Sequence, residues 1–190
     1  MSPLDVFGFL TGALAVWLCV RKNVWNWPVG IANSAVFLVS FATVGLYADA
    51  ALQILYVVLG VYGWVYWLRG GEHAHEAPVT RASAATVIGL LAFVALATWL
   101  FAAVLSAYFH STVPLWDGLT TALSLAAQFL LSRKVRENWF FWIAADLVYV
   151  PLYFVKGLPL TAVLYVIFLG MCVAGVVEWN RSLRARPAVA

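Results

Sequence analysis

At 190 residues the chain is 65% hydrophobic and 10% charged, with a net charge of +3 and a mean hydropathy of +0.94. A soluble domain carries about a quarter charged residues, so no water-facing fold of this size hides so many apolar side chains, and the solvent is lipid. The basic residues are scattered through short loops rather than gathered on one face, which excludes a nucleic-acid surface.

The N-terminus, M-S-P-L-D, has no basic stretch, and no cleaved signal peptide is expected. Apolar segments are predicted at 4–20, 28–45, 47–68, 83–106, 115–131, 138–155 and 158–179, each long enough for about 30 Å of hydrocarbon. They are continuously apolar and do not alternate, so they read as helices rather than barrel strands. Between the third and fourth lies a polar seam, Gly70 to Ala82. Its His73 and His75 have no further ligand at usable spacing, and a solvated loop accounts for them more simply than a metal site. Cys19 and Cys172 lie inside apolar runs and read as packing residues, with no disulfide and no metal.

Numbering the loops alternately puts Arg21, Lys22, Arg69, Arg81, Arg133, Lys134, Arg136, Arg181, Arg184 and Arg186 on one side and Lys156 alone on the other. Asp5, Asp49 and Asp117 lie near the second surface, where helix capping or loop pairing competes with substrate contact. The positive-inside rule makes the basic side cytoplasmic, with the N-terminus outside and the C-terminus inside.

A shift of 112 residues carries Trp27 onto Trp139, Asn26 onto Asn138, Gly63 onto Gly175, Trp67 onto Trp179 and Arg21-Lys22 onto Arg133-Lys134. The chain is therefore expected to be built twice. Three helices end on the side opposite their start, and one extra crossing restores the direction. The fold predicted is an all-α membrane protein of seven transmembrane helices in a 3+1+3 parallel-repeat arrangement. The first repeat is 1–69, the linker and helix 4 are 70–107, the second repeat is 108–181 and a cytoplasmic tail is 182–190. Such a build points to a transporter.

Polar residues inside membrane helices are costly and face the protein interior. Gln53 and Tyr56 on helix 3, Ser124 and Gln128 on helix 5, Trp142, Asp146 and Tyr149 on helix 6, and Asn33 on helix 2 are the candidate substrate-binding residues. They fall on stripes spaced by three and four, implying one shared central cavity. For Gln53, Gln128 and Asp146 the plainer account is a structural interhelical hydrogen bond. Gly60 and Gly63 read as close-packing positions. For Trp27, Trp67, Trp139 and Trp179, at helix ends, anchoring at the membrane interface is the favoured account. Asp146 is the sharpest candidate, because no Lys or Arg lies at mid-membrane in any segment. An acid one turn from the indole of Trp142 is a natural receptor for an aromatic cation.

The motifs G-I-A-N (Gly30 to Asn33), L-Y-A-D-A-A-L-Q (Leu46 to Gln53), Y-G-W-x-x-W (Tyr62 to Trp67), W-D-G-L-T-T-A-L-S (Trp116 to Ser124) and R-K-V-R-E-N-W-F-F-W (Arg133 to Trp142) resemble the PnuC family of vitamin transporters. The resemblance covers helices 2, 3 and 5–7, and helices 1 and 4 only by position. It implies a SWEET-like fold, a homotrimer in the bacterial inner membrane, and facilitated diffusion without a cofactor or coupled ion. It further implies trapping of the vitamin through a cytoplasmic kinase. The expected substrate is nicotinamide riboside. One departure stands out: riboside-type members resemble W-x-x-x-N in helix 6, and here Trp142 is followed by Asp146. The acid suits a cationic ring, which makes thiamine the alternative and argues against neutral riboflavin. A SWEET-like sugar facilitator leaves Asp146 without a cation to meet. A retinal protein lacks its lysine in the last helix, and no motif of an intramembrane enzyme is found.

Overall fold

The computed structural model describes residues 3–43, 47–70, 76–108, 113–155, 157 and 159–185. His73, His75, Lys156, Arg186 and the repeat positions Gly45, Leu46 and Leu158 lie outside the described residues. Among the described residues seven α-helices are formed: α1 (Pro3–Val20), α2 (Asn26–Thr43), α3 (Tyr47–Arg69), α4 (Ala84–Tyr108), α5 (Pro114–Ser132), α6 (Asn138–Val155) and α7 (Pro159–Arg184). They follow the apolar segments closely, though α7 runs five residues beyond Trp179. Among the described residues there is no strand, only an isolated bridge between Thr80 and Val135.

Apolar length explains most of the helices. Within α3, α4, α6 and α7, the stretches Ala50–Arg69, Ala84–Tyr108, Asn138–Val155 and Thr161–Arg184 are each long and apolar enough to cross a membrane unaided. In α4 the side chains of Ile88, Leu96 and Trp99 are 66–72% exposed, which is tolerable only against lipid. Helix α5 carries a row of hydroxyl and amide side chains at Thr120, Ser124 and Gln128, and its apolar character is correspondingly diluted.

The chain divides into two compact units. The first comprises 1–79, 131–134 and 178–190. Here α2 packs against α1 and α3. Its α1 ends in a Schellman turn: Lys22 takes a left-handed φ of 58°, its amide donates to the Cys19 carbonyl, and the Asn23 amide donates to the Leu18 carbonyl. The Asn26 amide group then closes the turn on the Asn23 carbonyl at 2.7 Å. Trp27 lies against Gly63, where any Cβ collides with the indole, and Ile31 presses on Gly60 in the same way. Both glycines are thus close-packing positions, as their spacing suggests.

Two indoles in this unit reach carbonyls at the ends of helices. Trp67 Nε1 donates to the Leu131 carbonyl at 3.0 Å, and Trp179 Nε1 donates to the Cys19 carbonyl at 3.2 Å. The shift that carries Trp67 onto Trp179 also carries Cys19 onto Leu131, so each indole meets the equivalent carbonyl of the other copy. Their rings lie 5.8 Å apart. Lys134 pairs with Glu76 at 2.5 Å and sits 4.5 Å over the Trp67 ring, while Lys22 pairs with Glu178 at 2.7 Å.

These contacts correct the interfacial reading of the four tryptophans. Trp27, Trp67, Trp139 and Trp179 are at most 3% exposed. Helix-end position alone does not separate an anchor from a packing residue. Facing glycines and carbonyls draw these four indoles inward, whereas Trp25, Trp99 and Trp116 are exposed.

The second unit comprises 80–130 and 135–177. Its core joins Val94 and Ala97 of α4, Ala122 to Leu130 of α5, and Phe141 and Ala145 of α6. The α5–α6 turn repeats the α1–α2 turn. Lys134 has a φ of 55°, its amide donates to Leu131 and that of Val135 to Leu130. Asn138 closes on the Val135 carbonyl at 2.7 Å. Trp139 lies on Gly175 as Trp27 lies on Gly63. Glu137 holds the approach to α4, accepting the Ala82 amide at 2.7 Å and pairing with Arg136 at 2.6 Å.

Candidate substrate site

Three helices of the second unit turn polar faces inward. On α5, Thr120 and Ser124 are each 2% exposed, one turn apart. Thr120 Oγ1 donates to the Trp116 carbonyl at 3.0 Å, the back-bond open to a hydroxyl inside a helix. That leaves its oxygen to accept. On α6, Trp142, Asp146, Tyr149 and Tyr153 follow at steps of four, three and four, so they share one stripe. On α7, Tyr165 and Cys172 complete the set.

Side-chain contacts join the helices. The Tyr149 hydroxyl is hydrogen-bonded to Thr120 and Ser124. Its ring lies 4.5 Å from that of Tyr165 and 5.7 Å from that of Tyr153. Tyr153 and Tyr165 stack at 5.2 Å and their hydroxyls are hydrogen-bonded. Phe168 meets Tyr165 edge-on at 5.7 Å. Asp146 is 4% exposed, and its Oδ2 accepts from the Cys172 thiol at 3.5 Å. A thiol is a weak donor, so this contact compensates little of the cost of a carboxylate at such depth.

Of the eight sequence candidates, five lie in this unit. Ser124 and Tyr149 are brought into hydrogen-bonding contact. Trp142 and Tyr149 both pack against the apolar core of α4, α5 and α6. Asp146 is buried beside α7, and Gln128 is half-buried on α5. The other three lie in the first unit. Asn33 donates to the Gly8 carbonyl at 3.3 Å and to Thr11 Oγ1 at 2.6 Å, so its amide ties α2 to α1. Gln53 and Tyr56 are half-buried on α3. Residues missing from the eight are Thr120, Tyr153, Tyr165 and Cys172. Tyr153 and Tyr165 belong to polar stripes legible in the sequence. Cys172 had no legible signal, because a cysteine in an apolar run is ordinarily inert packing.

A separate cavity of about 300 Å³ opens in the first unit among Lys22, Glu76, Pro78, Lys134 and Ser182. It contains none of the eight, and its lysines are already paired with glutamates. Among the described residues no three His, Cys, Asp or Glu side chains gather as a metal site.

The sequence model of the nicotinamide mononucleotide transporter family matches residues 2–181. The chain belongs to that family, the PnuC family of vitamin transporters. Within it, the chain is 30% identical to the riboflavin/roseoflavin transporter RibM of Streptomyces davaonensis, covering 97% of this chain and 89% of that one. It is 29% identical to the nicotinamide riboside transporter PnuC of Neisseria mucosa, over 92% of this chain and 71% of that one. The nicotinamide riboside transporter PnuC of Escherichia coli is 22% identical, over 98% and 88%. A crystal structure of the vitamin B3 transporter PnuC shares the fold, with a TM-score of 0.74, 24% identity and coverage of 97% of this chain and 83% of that one. The family fold thus agrees with an all-helical, multi-pass membrane protein.

Proposed function

We propose that this PnuC-family chain carries nicotinamide riboside across the bacterial cytoplasmic membrane by facilitated diffusion, and that phosphorylation by a cytoplasmic kinase then retains the vitamin. In this reading all seven helices cross the bilayer, three plus one plus three, with both triplets running in the same sense. The N-terminus is outside, the C-terminus is inside, and the assembly is a trimer. The chain moves its substrate without catalysis and without a cofactor.

The observation that carries the riboside is Asp146. It is buried at the middle of α6 with a thiol for company, on the same stripe as Trp142 and Tyr149. A charge held at mid-membrane costs about 3 kcal/mol, and a cationic pyridinium ring offsets that cost while stacking on the neighbouring rings. The names of the Neisseria and Escherichia relatives support the same substrate. Thiamine, also a cation, is the alternative that the acid in place of the family's asparagine favours. The name of the Streptomyces relative favours a different substrate, riboflavin, against the charge argument.

Thermal-shift titration of the purified protein with the three vitamins separates them. Nicotinamide riboside is expected to stabilise the protein most, and Asp146→Asn to weaken that stabilisation. Stabilisation by riboflavin alone, unaffected by Asp146→Asn, overturns the assignment. Uptake should persist when proton and sodium gradients are collapsed, and its loss rules out the uncoupled mechanism.

A further inference from the structure

The two copies of the helical triplet supply an internal control for one another. Phe37 and Phe41 on α2 stack with ring centroids 5.6 Å apart at 25°. The positions 112 residues on are Tyr149 and Tyr153, which stack at 5.7 Å and 19°. The geometry is the same and only the hydroxyls are added. The partners differ in the same sense. Phe37 presses onto Gly8, where a Cβ has no room. The counterparts of Gly8 and Gly12 are Thr120 and Ser124, the two residues that hydrogen-bond Tyr149. Ser34 and Gly60 of the first copy become Asp146 and Cys172, and Gln53 becomes Tyr165.

The first copy shows that α2 seats Phe37 on Gly8 of α1 without a hydroxyl in that contact, and ties the two helices instead through Asn33 and Thr11, whose counterparts are Ala145 and Leu123. Seating an aromatic ring at this position therefore does not require the hydroxyls of the second copy. Each one is a polar group placed in a lipid-embedded bundle, where it costs stability unless it is bonded. Tyr149 is bonded to α5, and Tyr153 to Tyr165. Polar groups beyond what seats the rings, gathered beside three closely packed rings and on the stripe of the buried acid, have the composition of a ligand wall. Ring faces take a flat aromatic, and hydroxyls on their rims read its polar edge.

Resting on the vitamin-transport reading, we infer that substrate specificity is concentrated in the second triplet, in a hydroxyl-rimmed aromatic slot of Tyr149, Tyr153 and Tyr165 backed by Thr120. The slot takes a flat heteroaromatic ring bearing a hydroxylated substituent. Tyr153, Tyr165 and Thr120 are thereby added to the candidate site. The matched face of the first triplet, Phe37 and Phe41, serves as scaffold.

The test uses single Tyr153→Phe and Tyr165→Phe variants, the triple variant that also carries Tyr149→Phe, and Phe41→Tyr in the first copy. Vitamin affinity and the unliganded melting temperature are both measured on the purified full chain. Each single tyrosine variant is expected to lose about five- to tenfold in affinity for the vitamin that wild type binds best, and to change the ranking among nicotinamide riboside, thiamine and riboflavin. The unliganded melting temperature of the triple variant should stay within a few degrees of wild type. Phe41→Tyr should leave affinity unchanged. Intact affinity and ranking in both single variants overturn the inference, as does a triple variant that melts far below wild type. If wild type binds none of the three vitamins, the transport assignment fails by itself. The melting temperature of the triple variant still decides whether the hydroxyls are surplus to folding.

Discussion

The α1–α2 turn and the α5–α6 turn share their Schellman bonds and their asparagine closure, while the helix faces beyond them do not match in chemistry. Both turns place a lysine at a φ between 55° and 58°, close on an asparagine amide, and lay a tryptophan on a glycine of the next helix. On the faces, Gly8, Ser34, Phe37 and Gly60 give way to Thr120, Asp146, Tyr149 and Cys172. The comparison teaches that positions related by the 112-residue shift keep the turns and the packing of tryptophan on glycine while differing on the helix faces. On the vitamin-transport reading, residues that agree under the shift are the expected scaffold, and those that turn polar in one half alone are the expected substrate contacts.

The heaviest test of the shared scaffold is Gly63→Leu against Gly175→Leu. Each drives a side chain into an indole that lies on the backbone, so each should cost about 3 kcal/mol or abolish folded protein. The comparison predicts equal losses, measured by thermal unfolding in detergent. A large loss in one and none in the other breaks the equivalence. Next come Trp67→Phe and Trp179→Phe. Each removes one of the two donors on a carbonyl, of Leu131 or Cys19, that still accepts from a lysine amide, worth about 1 kcal/mol. Equal drops in melting temperature are expected from these two variants as well.

Asp146→Ala sharpens the contrast on the chemical side. It should weaken binding of a cationic vitamin about tenfold, or about 1.4 kcal/mol, while Ser34→Ala at the matched position leaves affinity within about twofold. Isothermal titration of both variants checks this, and equal effects would mean that the faces are not specialised. The smallest difference is expected between Lys134→Ala and Lys22→Ala. The Lys134 side chain is 3% exposed and rests on the Trp67 ring, whereas Lys22 is 23% exposed. Loss of the first should cost about 1 kcal/mol and of the second about 0.5 kcal/mol or less, with only the Lys22 effect fading in high salt.

How far the sequence carried depends on how local each cause is. Crossing a membrane is a matter of apolar length: among the described residues the seven helices lie where apolar runs predict them, and four are long and apolar enough to cross. The close packing at Gly60 and Gly63 was legible too, since a bare backbone in a membrane helix invites a neighbour. The tryptophans were misread because end position says nothing of direction: Trp25 and Trp27 are two residues apart, 64% and 3% exposed. Asp146 was legible as an outlier in an apolar run. Its contact with Cys172 was not, because 26 residues separate them and a cysteine looks apolar in a sequence.

By itself, then, the amino-acid order pointed to the lipid environment, placed the helices and displayed the identities at a constant shift. Each follows from hydropathy or from identity at a constant shift, and neither needs a partner to be known. Only the tertiary structure decided which tryptophans are core, and that Asn33 is occupied with α1. It alone made Tyr149, Tyr153 and Tyr165 one aromatic stack. Those facts depend on which side chains of different helices meet, and contact between distant segments is created by packing rather than by any property of a single segment.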